Sequence, residues 1–435
     1  MNGFEKIVSM TDAMQDELVA QRRDFHKYAE MGWLEMRTSS IIARKLTDLG
    51  YEVLVGDQVT NPDDRMGVPD ADVLEREFAR AKAQGADPEF VEYTKGGMTG
   101  VIGILRCGEG PTVGMRFDID ALGVYEAKDE NHRPAREGFA SVNEGVMHAC
   151  GHDGHGTIGL GVAKVLMAIK DQLHGTVKLI FQPAEEGVRG AKAIVDKGHL
   201  DDVDYLFVSH VSGRGKRTQD IIPGSYGALA TCKYDVVFHG KAAHAGSSPH
   251  LGKNALLAAA SAVLNLYAIP RHGGGSTRIN VGTLVAGSGR NVIADEAKMQ
   301  IEVRGETTEL NDYVRGYTEN ILAGAAQMYG CTYDIRLMGS AISLHSDEVL
   351  AERVKKVCTE KLGLTCTDTL MVKSTGSEDA SYMMQRVQEN GGQACFFRPI
   401  TEISGTSHNR YYDFGEGLLG NAVKTFAGMA LDVLG

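Results

Sequence analysis

Short apolar runs that end in polar clusters recur along the chain, at Thr112 to Phe117, Thr176 to Phe181, Tyr205 to Val208 and Gln393 to Phe397. Runs this apolar are typical of buried strands in a largely parallel sheet. After Asp153, which we expect to cap a helix, apolar residues follow helical spacing. The pattern predicts an α/β fold. In such sheets, ligands bind beyond the carboxyl ends of the strands, so we expect one shared site there.

A second pattern occupies residues 229–339. Strand, helix, two strands, helix and strand follow one another, which is the order of a ferredoxin-like unit. The first α/β pattern resumes near residue 340. The sequence therefore predicts an α/β domain in two parts, 1–228 and 340–435, with a ferredoxin-like domain inserted at 229–339.

Composition narrows the class of protein. At 435 residues the chain exceeds one ordinary domain, so two domains are expected, and with 43% hydrophobic residues it can bury a large core. With a net charge of −12, the chain lacks the basic face that nucleic-acid binding needs. The longest apolar segment, Ala255 to Ile269, is too short to span a bilayer, and the N-terminus has no apolar signal region. Seven scattered Cys do not form a disulfide framework. We therefore expect a cytoplasmic protein with no nucleic-acid or membrane partner.

Residues 147–155 place one thiol, Cys150, and three imidazoles, His148, His152 and His155, within nine positions. An inert thiol or a loop histidine would explain any one of them alone. Together they favour a site for zinc, manganese or a related divalent ion. Glu185 and Glu186 follow the second apolar run. Ligands of this kind beside a spare carboxylate are typical of metal-assisted hydrolysis.

Motifs along nearly the whole chain resemble the dinuclear metallo-amidohydrolases of metallopeptidase family 20. They are Arg23 to His26, Met115 to Leu122, the Cys150 motif, the Glu185 pair, Gly240 to Ala245, Asn291 to Ile293 and Gly376 to Asp379. With a cysteine in the metal motif, the chain resembles the subfamily of N-acyl amino acid amidohydrolases. Arg65 to Asp70 and His132 to Ser141 resemble its members that cleave p-aminobenzoyl-glutamate.

The resemblance implies a role for each matching residue. Two divalent metal ions, manganese or zinc, would be held by five ligands: Cys150, His152, Glu186, His210 and His408. Cys150 would bridge the two ions. Glu185 would be the general base, and Asp118 would orient a ligand or that base. In the inserted domain, His244 would reach the substrate and steady a developing oxyanion.

A substrate carboxylate also needs a fixed cation. Arg290 is the candidate, with a surface loop arginine as the equal alternative. Asn280 is a weaker candidate for the same carboxylate, since a satisfied strand amide explains it as well.

The predicted function is therefore hydrolysis of an N-acyl amino acid. The leading candidate substrate is p-aminobenzoyl-glutamate, which would give p-aminobenzoate and glutamate. Three alternatives stay open: a general aminoacylase, a dipeptidase, and a non-catalytic partner protein. The resemblance implies an inserted domain that acts as a lid or dimerisation domain, in a homodimer or a hetero-oligomer with a homologous second chain. The G-x-G-x-x-G at Gly415 to Gly420 is too close to the C-terminus for a dinucleotide site, and no G-x-S-x-G occurs.

Three departures from the wider family stand out. One extra residue separates His244 from Pro249, and Ala294 stands where Pro is common. The segment Gly56 to Gly97 is unusually long for a strand connection. A lid, an interface element and a solvated excursion are all compatible with its sequence.

Overall fold

The computed structural model describes residues 2–213 and 219–435. Its helices are α1 (Gly3–Ala13), α2 (Gln15–Lys27), α3 (Met36–Asp48), α4 (Ala71–Ala83), α5 (Arg133–Arg136), α6 (His152–Ala168), α7 (Ala191–Asp196), α8 (Ala255–Tyr267), α9 (Thr308–Met328), α10 (Glu348–Lys361), α11 (Ala380–Glu389) and α12 (Leu418–Leu434). Its strands are β1 (Glu52–Val55), β2 (Val101–Arg106), β3 (Thr112–Asp118), β4 (Thr176–Gln182), β5 (Tyr205–Ser209), β6 (Ile221–Ile222), β7 (Gly224–Ala228), β8 (Ala230–His239), β9 (Thr277–Ala286), β10 (Glu296–Gly305), β11 (Thr332–Ala341), β12 (Leu344–His345), β13 (Met371–Lys373), β14 (Gln393–Pro399), β15 (Ile403–Ser404) and β16 (Asp413–Phe414).

The chain divides into two compact units. The first comprises residues 1–226, 345–373 and 379–435, and the second comprises residues 227–344 and 374–378. The second unit therefore takes in a short segment, 374–378, that lies outside the predicted insertion at 229–339.

The first unit is built on a mixed sheet with the strand order β1-β2-β4-β3-β5-β14-β6. At its centre, β3 pairs parallel with β4 and β5, and β5 pairs parallel with β14. Antiparallel pairs complete both sides: β1 with β2, β2 with β4, and β6 with β14. The predicted α/β fold is confirmed. The four parallel strands are the four apolar runs of the sequence, and their polar ends meet at one edge.

Helix α6 is buried along most of its length and packs between α2, α12 and the sheet. A side chain at Gly159 would come within 2.5 Å of Phe181 and 2.8 Å of Phe117, so this position needs glycine. The helix begins at His152, with Gly151 (φ 95°) as its N-cap. The expectation that Asp153 caps it is wrong, because the Asp153 carboxylate instead binds the buried side chains of Arg22 and His26.

The second unit has an antiparallel sheet of order β11-β8-β10-β9. Helices α8 and α9 pack on one face of it, around a core that includes Val236, Phe238, Ala258 and Leu322. This is the ferredoxin-like order predicted from the sequence. Strand β9 lies at the edge of the sheet and exposes Val285, at 70% of its surface.

Candidate metal centre

The five predicted ligands all lie in the first unit, where strands end or α6 begins. Cys150 and His152 stand at the N-terminus of α6, Glu186 follows β4, His210 follows β5, and His408 lies between β15 and β16. Because β4 and β5 flank β3 in parallel, their carboxyl ends bring these loops together. The sheet topology thus accounts for the convergence of residues that are far apart in sequence.

The ligand atoms form two groups that share one residue. Cys150, His152 and His210 make the first group, and Cys150, Glu186 and His408 make the second, with all atoms of a group within 4.8 Å of one another. The Cys150 Sγ atom lies 3.4 Å from His210 Nε2. Glu186 Oε1 lies 3.6 Å from His408 Nε2. Cys150 is therefore the residue that the two groups have in common.

The donor atoms fit divalent cations. His152 Nε2 and Glu186 Oε1 are buried and have no hydrogen-bond partner in the part of the chain that the structure describes. Buried polar atoms are nearly always satisfied, so such atoms indicate a site for a ligand. His210 Nδ1 donates to the Val211 carbonyl oxygen at 2.8 Å, which leaves Nε2 facing Cys150. A set of one sulfur, one oxygen and three imidazoles suits zinc or manganese.

Burial makes the thiol and the carboxylate of this site retain their protons when no metal is bound. It raises the pKa of the Cys150 thiol, and Glu186 raises it further. Burial also raises the pKa of Glu186 to about 7, while it lowers the pKa of His210 well below its usual range. Thiolate and carboxylate must lose their protons to bind a metal, so loading this site releases protons.

Asp120, for which no role was predicted, is the hydrogen-bonded link, or hub, between the predicted ligands and the predicted base. Its Oδ1 accepts from the Glu185 main-chain N–H at 3.1 Å and lies 3.2 Å from His152 Nδ1. Its Oδ2 accepts from the Glu186 N–H at 2.9 Å. A carboxylate on the far nitrogen of a ligating histidine fixes the ring and its tautomer. Asp120 therefore orients one ligand and the loop that carries two further site residues.

Two more buried carboxylates hold the same loop. Glu35 Oε1 accepts from the Ala184 N–H at 2.7 Å. Asp379 Oδ2 accepts from the N–H groups of Gly190 and Ala191, both at 2.9 Å. The loop needs this support, because Ala184 (φ 52°) and Val188 (φ 59°) adopt the left-handed conformation that costs non-glycine residues energy.

Glu185 is 8% exposed, and its Oε2 lies 3.9 Å from His152 Nε2. The predicted base therefore lies beside the ligand groups without belonging to either shared-cysteine group. The unpaired ligand atom of His152 faces it.

Asp118 lies deeper. It accepts from Arg116 Nη1 at 2.6 Å and from His155 Nδ1, and its Oδ2 is 3.8 Å from His152 Nε2. Although burial opposes its charge, Arg116 and the two histidines hold the pKa of Asp118 well below its usual range. Since His155 Nε2 accepts from the Val211 N–H at 3.0 Å, both nitrogens of His155 are occupied. His155 is thus a structural residue, whereas Asp118 brings a permanent negative charge to His152.

The remaining candidates belong to the second unit. His244, Arg290 and Asn280 are all exposed. His244 Nδ1 accepts from the N–H groups of Gly246 and Ser247 at 3.1 Å each, so the neutral imidazole carries its proton on Nε2. Its main chain pairs with that of Val292, which brings the loop of Arg290 beside it. Asn280 Oδ1 accepts from the Tyr267 hydroxyl at 3.2 Å, as a satisfied strand amide would.

Comparisons with known proteins extend over nearly the whole chain. A family model described as Peptidase family M20/M25/M40 matches residues 114–432. The chain is 44% identical over 430 residues to one of the subunits of p-aminobenzoyl-glutamate hydrolase from Escherichia coli (strain K12), covering 99% of this chain and 98% of that protein. It is 45% identical over 417 residues to indole-3-acetyl-aspartic acid hydrolase of Enterobacter agglomerans, covering 96% and 95%.

A solved structure is similar over the same extent. The crystal structure of aminobenzoyl-glutamate utilization protein from Klebsiella pneumoniae matches with a TM-score of 0.83 at 39% identity, covering 97% of each chain. The resemblance that the motifs indicated is confirmed by these matches. Among the described residues, no helix combines the length and apolar character that crossing a membrane requires.

Proposed function

Since the chain belongs to peptidase family M20/M25/M40, we propose that it is a metal-dependent amidohydrolase that cleaves p-aminobenzoyl-glutamate to p-aminobenzoate and glutamate. The observation that carries the proposal is the pair of ligand groups that share Cys150, with Glu185 beside them. The names of two relatives supply the substrate class, an acyl group joined to an acidic amino acid.

We propose two divalent ions per chain, manganese or zinc, which Cys150, His152, Glu186, His210 and His408 would hold. When bound, the ions supply polarisation of the scissile carbonyl and acidification of the attacking water.

Glu185 accepts the proton of that water at its carboxylate and returns it to the nitrogen of the leaving amine. Asp120 keeps the Glu185 main chain and the His152 ring in fixed positions throughout. Asp118 adds negative charge beside His152 Nε2, which favours the binding of a cation there.

We further propose roles for two residues of the second unit. His244 donates from Nε2–H to the carbonyl oxygen as its negative charge develops, and the tautomer set by Gly246 and Ser247 supports this. Arg290 binds the α-carboxylate of the substrate. Asn280 is the weaker candidate for that carboxylate, because its amide oxygen already accepts a hydrogen bond.

The assembly is also a proposal. One relative carries the name of a single component of a larger enzyme, so we propose a homodimer or a complex with a homologous second chain. We place the protein in the cytoplasm on the grounds of its composition.

The test is an assay of the purified chain, stripped with a chelator and reloaded with manganese or zinc. Release of glutamate from p-aminobenzoyl-glutamate is expected, with Glu185→Gln as the inactive control that retains the same metal content. If the enzyme prefers N-acetyl amino acids or dipeptides, the proposed substrate is wrong, while the proposed metal-dependent hydrolysis of an amide stands. No turnover of any amide with either metal, alone or with a homologous chain, would identify a non-catalytic partner protein instead.

A further inference from the structure

Buried arginines of the first unit are matched by carboxylates. Arg22 is fully buried and pairs with Asp153 at 2.8 Å and Asp413 at 2.9 Å. Arg116, also fully buried, pairs with Asp118 at 2.6 Å. This is the general rule, because a guanidinium removed from water needs a compensating negative charge.

Arg65, in the long segment Gly56 to Gly97, departs from the rule. It is half-buried, and its Nη1 donates only to the main-chain carbonyls of Gly96, at 2.8 Å, and Gly97, at 3.0 Å. Its guanidinium also lies over the ring of Trp33, 5.4 Å from the centroid. Burial lowers the pKa of Arg65, with no acidic neighbour to oppose the shift. In the described chain, no carboxylate neutralises this charge.

Arg189 departs from it in the same way. It is half-buried, its Nε donates to the Glu186 carbonyl oxygen at 2.8 Å, and its Nη1 donates to the Gly67 carbonyl oxygen at 3.0 Å. Neither it nor Arg65 forms an ion pair with any described carboxylate. The Nη2 group of each makes no hydrogen bond to the described residues and is not among the buried, unsatisfied atoms. Each arginine therefore keeps one donor group that the described residues do not bind.

The two arginines belong to one layer beside the loop 183–190, which follows β4 and carries Glu185 and Glu186, and which we call the catalytic loop. Arg189 follows Glu185 and Glu186 in that loop and packs against Gly32, where no side chain would fit. The next residue, Trp33, donates from Nε1 to the Met66 carbonyl oxygen at 2.8 Å. The main chain of residues 65–67 thus runs from Arg65, past Trp33, to the carbonyl that Arg189 binds. The long segment is docked onto the loop through this layer.

We propose that Arg65 and Arg189 form a subsite for the side-chain carboxylate of the acidic amino acid, glutamate or aspartate, in the substrate. This rests on the proposed function and extends it to a group that the metal ions and Arg290 do not bind. A carboxylate accepts from the fork of a guanidinium through two parallel hydrogen bonds and supplies the missing negative charge. Main-chain carbonyls already fix both side chains, so little ordering is needed on binding. The long segment then serves selectivity.

The test compares p-aminobenzoyl-glutamate with p-aminobenzoyl-glutamine, which has the same size and no side-chain charge. For the glutamate substrate, Arg65→Met should lower kcat/KM by about 10- to 100-fold, the usual effect of losing a charge-assisted hydrogen bond. For the glutamine substrate, the change should stay below about 3-fold. Arg65→Lys should recover part of the loss. Arg76→Met is the matched control, since Arg76 is an exposed arginine of the same segment, at 65% of its side chain.

Arg189→Met should show the same selectivity, with metal content measured in parallel because Arg189 also holds the Glu186 main chain. An equal loss for both substrates would overturn the subsite and leave the arginines as structural. Wild-type enzyme that cleaves the glutamine substrate as well as the glutamate one would also overturn it, while the proposed function stands.

Binding separates the two proposals if no turnover is found. Calorimetry with Glu185→Gln protein measures the affinity for p-aminobenzoyl-glutamate directly. Adding Arg65→Met should weaken that affinity by about 10- to 100-fold and leave the affinity for the glutamine analogue unchanged. Equal affinities with and without Arg65 would refute the subsite regardless of catalysis.

Discussion

Asp120→Asn should weaken metal binding while the fold persists. Asp120 is 1% exposed and receives hydrogen bonds from two main-chain N–H groups and from His152. An asparagine has nearly the same shape but only one accepting oxygen. If that oxygen faces His152 and Glu185, its amide N–H₂ meets the N–H of Glu186, donor against donor.

At least one hydrogen bond to a charged acceptor is therefore lost, worth about 1.5–3 kcal/mol. If the whole loss falls on the metal-bound state, the affinity for metal drops by about 10- to 100-fold, the range typical of groups that support ligating histidines. The turnover number should fall as well, because Glu185 loses the anchor of its main chain.

Competition with a chromophoric chelator measures the metal affinity, and thermal unfolding of metal-free protein measures the effect on the fold. Asp171→Asn, an exposed carboxylate in the same unit, is the control for loss of one negative charge. Wild-type metal affinity and turnover in Asp120→Asn would refute the assignment of Asp120 as the hub. A large drop in the melting temperature of the metal-free protein, with unchanged metal affinity, would make its role purely structural.

Three further outcomes are expected. Glu185→Gln should keep the metals and lose turnover by about two to four orders of magnitude, since an amide neither takes nor returns the proton. Cys150→Ala should instead lower the metal content itself. Wild-type activity in Glu185→Gln would refute the assignment of Glu185 as the base. Val285→Lys, on the exposed edge strand β9, should convert the protein to a monomer by light scattering, and a wild-type chain that is already monomeric would contradict the dimer proposal. Although burial opposes its charge, the partners His132 and His26 lower the pKa of Glu126 to about 2. The ionised carboxylate therefore contributes about 3 kcal/mol above pH ~4.5 and loses most of it as pH falls toward 2. The melting-temperature gap between wild type and Glu126→Gln should narrow over that window, and a gap as wide at pH ~2.5 as at pH ~5 would argue against it.

The strands, and the positions of the candidate ligands relative to them, were predictable because they are local. An apolar run identifies a buried strand, and in a parallel sheet the strand's end places its ligand. Cys150 and His152 lie in one short motif, and Glu186 lies a few residues beyond β4. The direction of each strand was harder to predict, since a buried parallel strand and a buried antiparallel strand have the same apolar sequence pattern. The antiparallel pairing of β2 with β4 therefore follows only from the structure.

The supports of the site escaped prediction because they act across long separations. Glu35 reaches Ala184 over 149 residues, and Asp379 reaches Ala191 over 188. Asp120 stands two residues from Asp118, for which alone an orienting role was predicted, and only the turn of the chain after β3 decides which of the two meets His152 Nδ1. A signal was present in the repeated acid of Asp118-Ile119-Asp120. Nothing local marked the long segment's contact with the catalytic loop.

The register of the insertion bears on the order in which the protein folds. Strands β8 and β11 are its first and last, and they pair antiparallel with Thr231 opposite Ala341. The chain therefore leaves the insertion about 5 Å from where it arrived. Strand β14, which must join β5 at the centre of the other sheet, emerges from synthesis long after β5. A folded insertion shortens the loop that this joining must close, and so reduces its entropic cost. We expect the insertion to fold first, and the central sheet to stay incomplete until the last part of the chain is made.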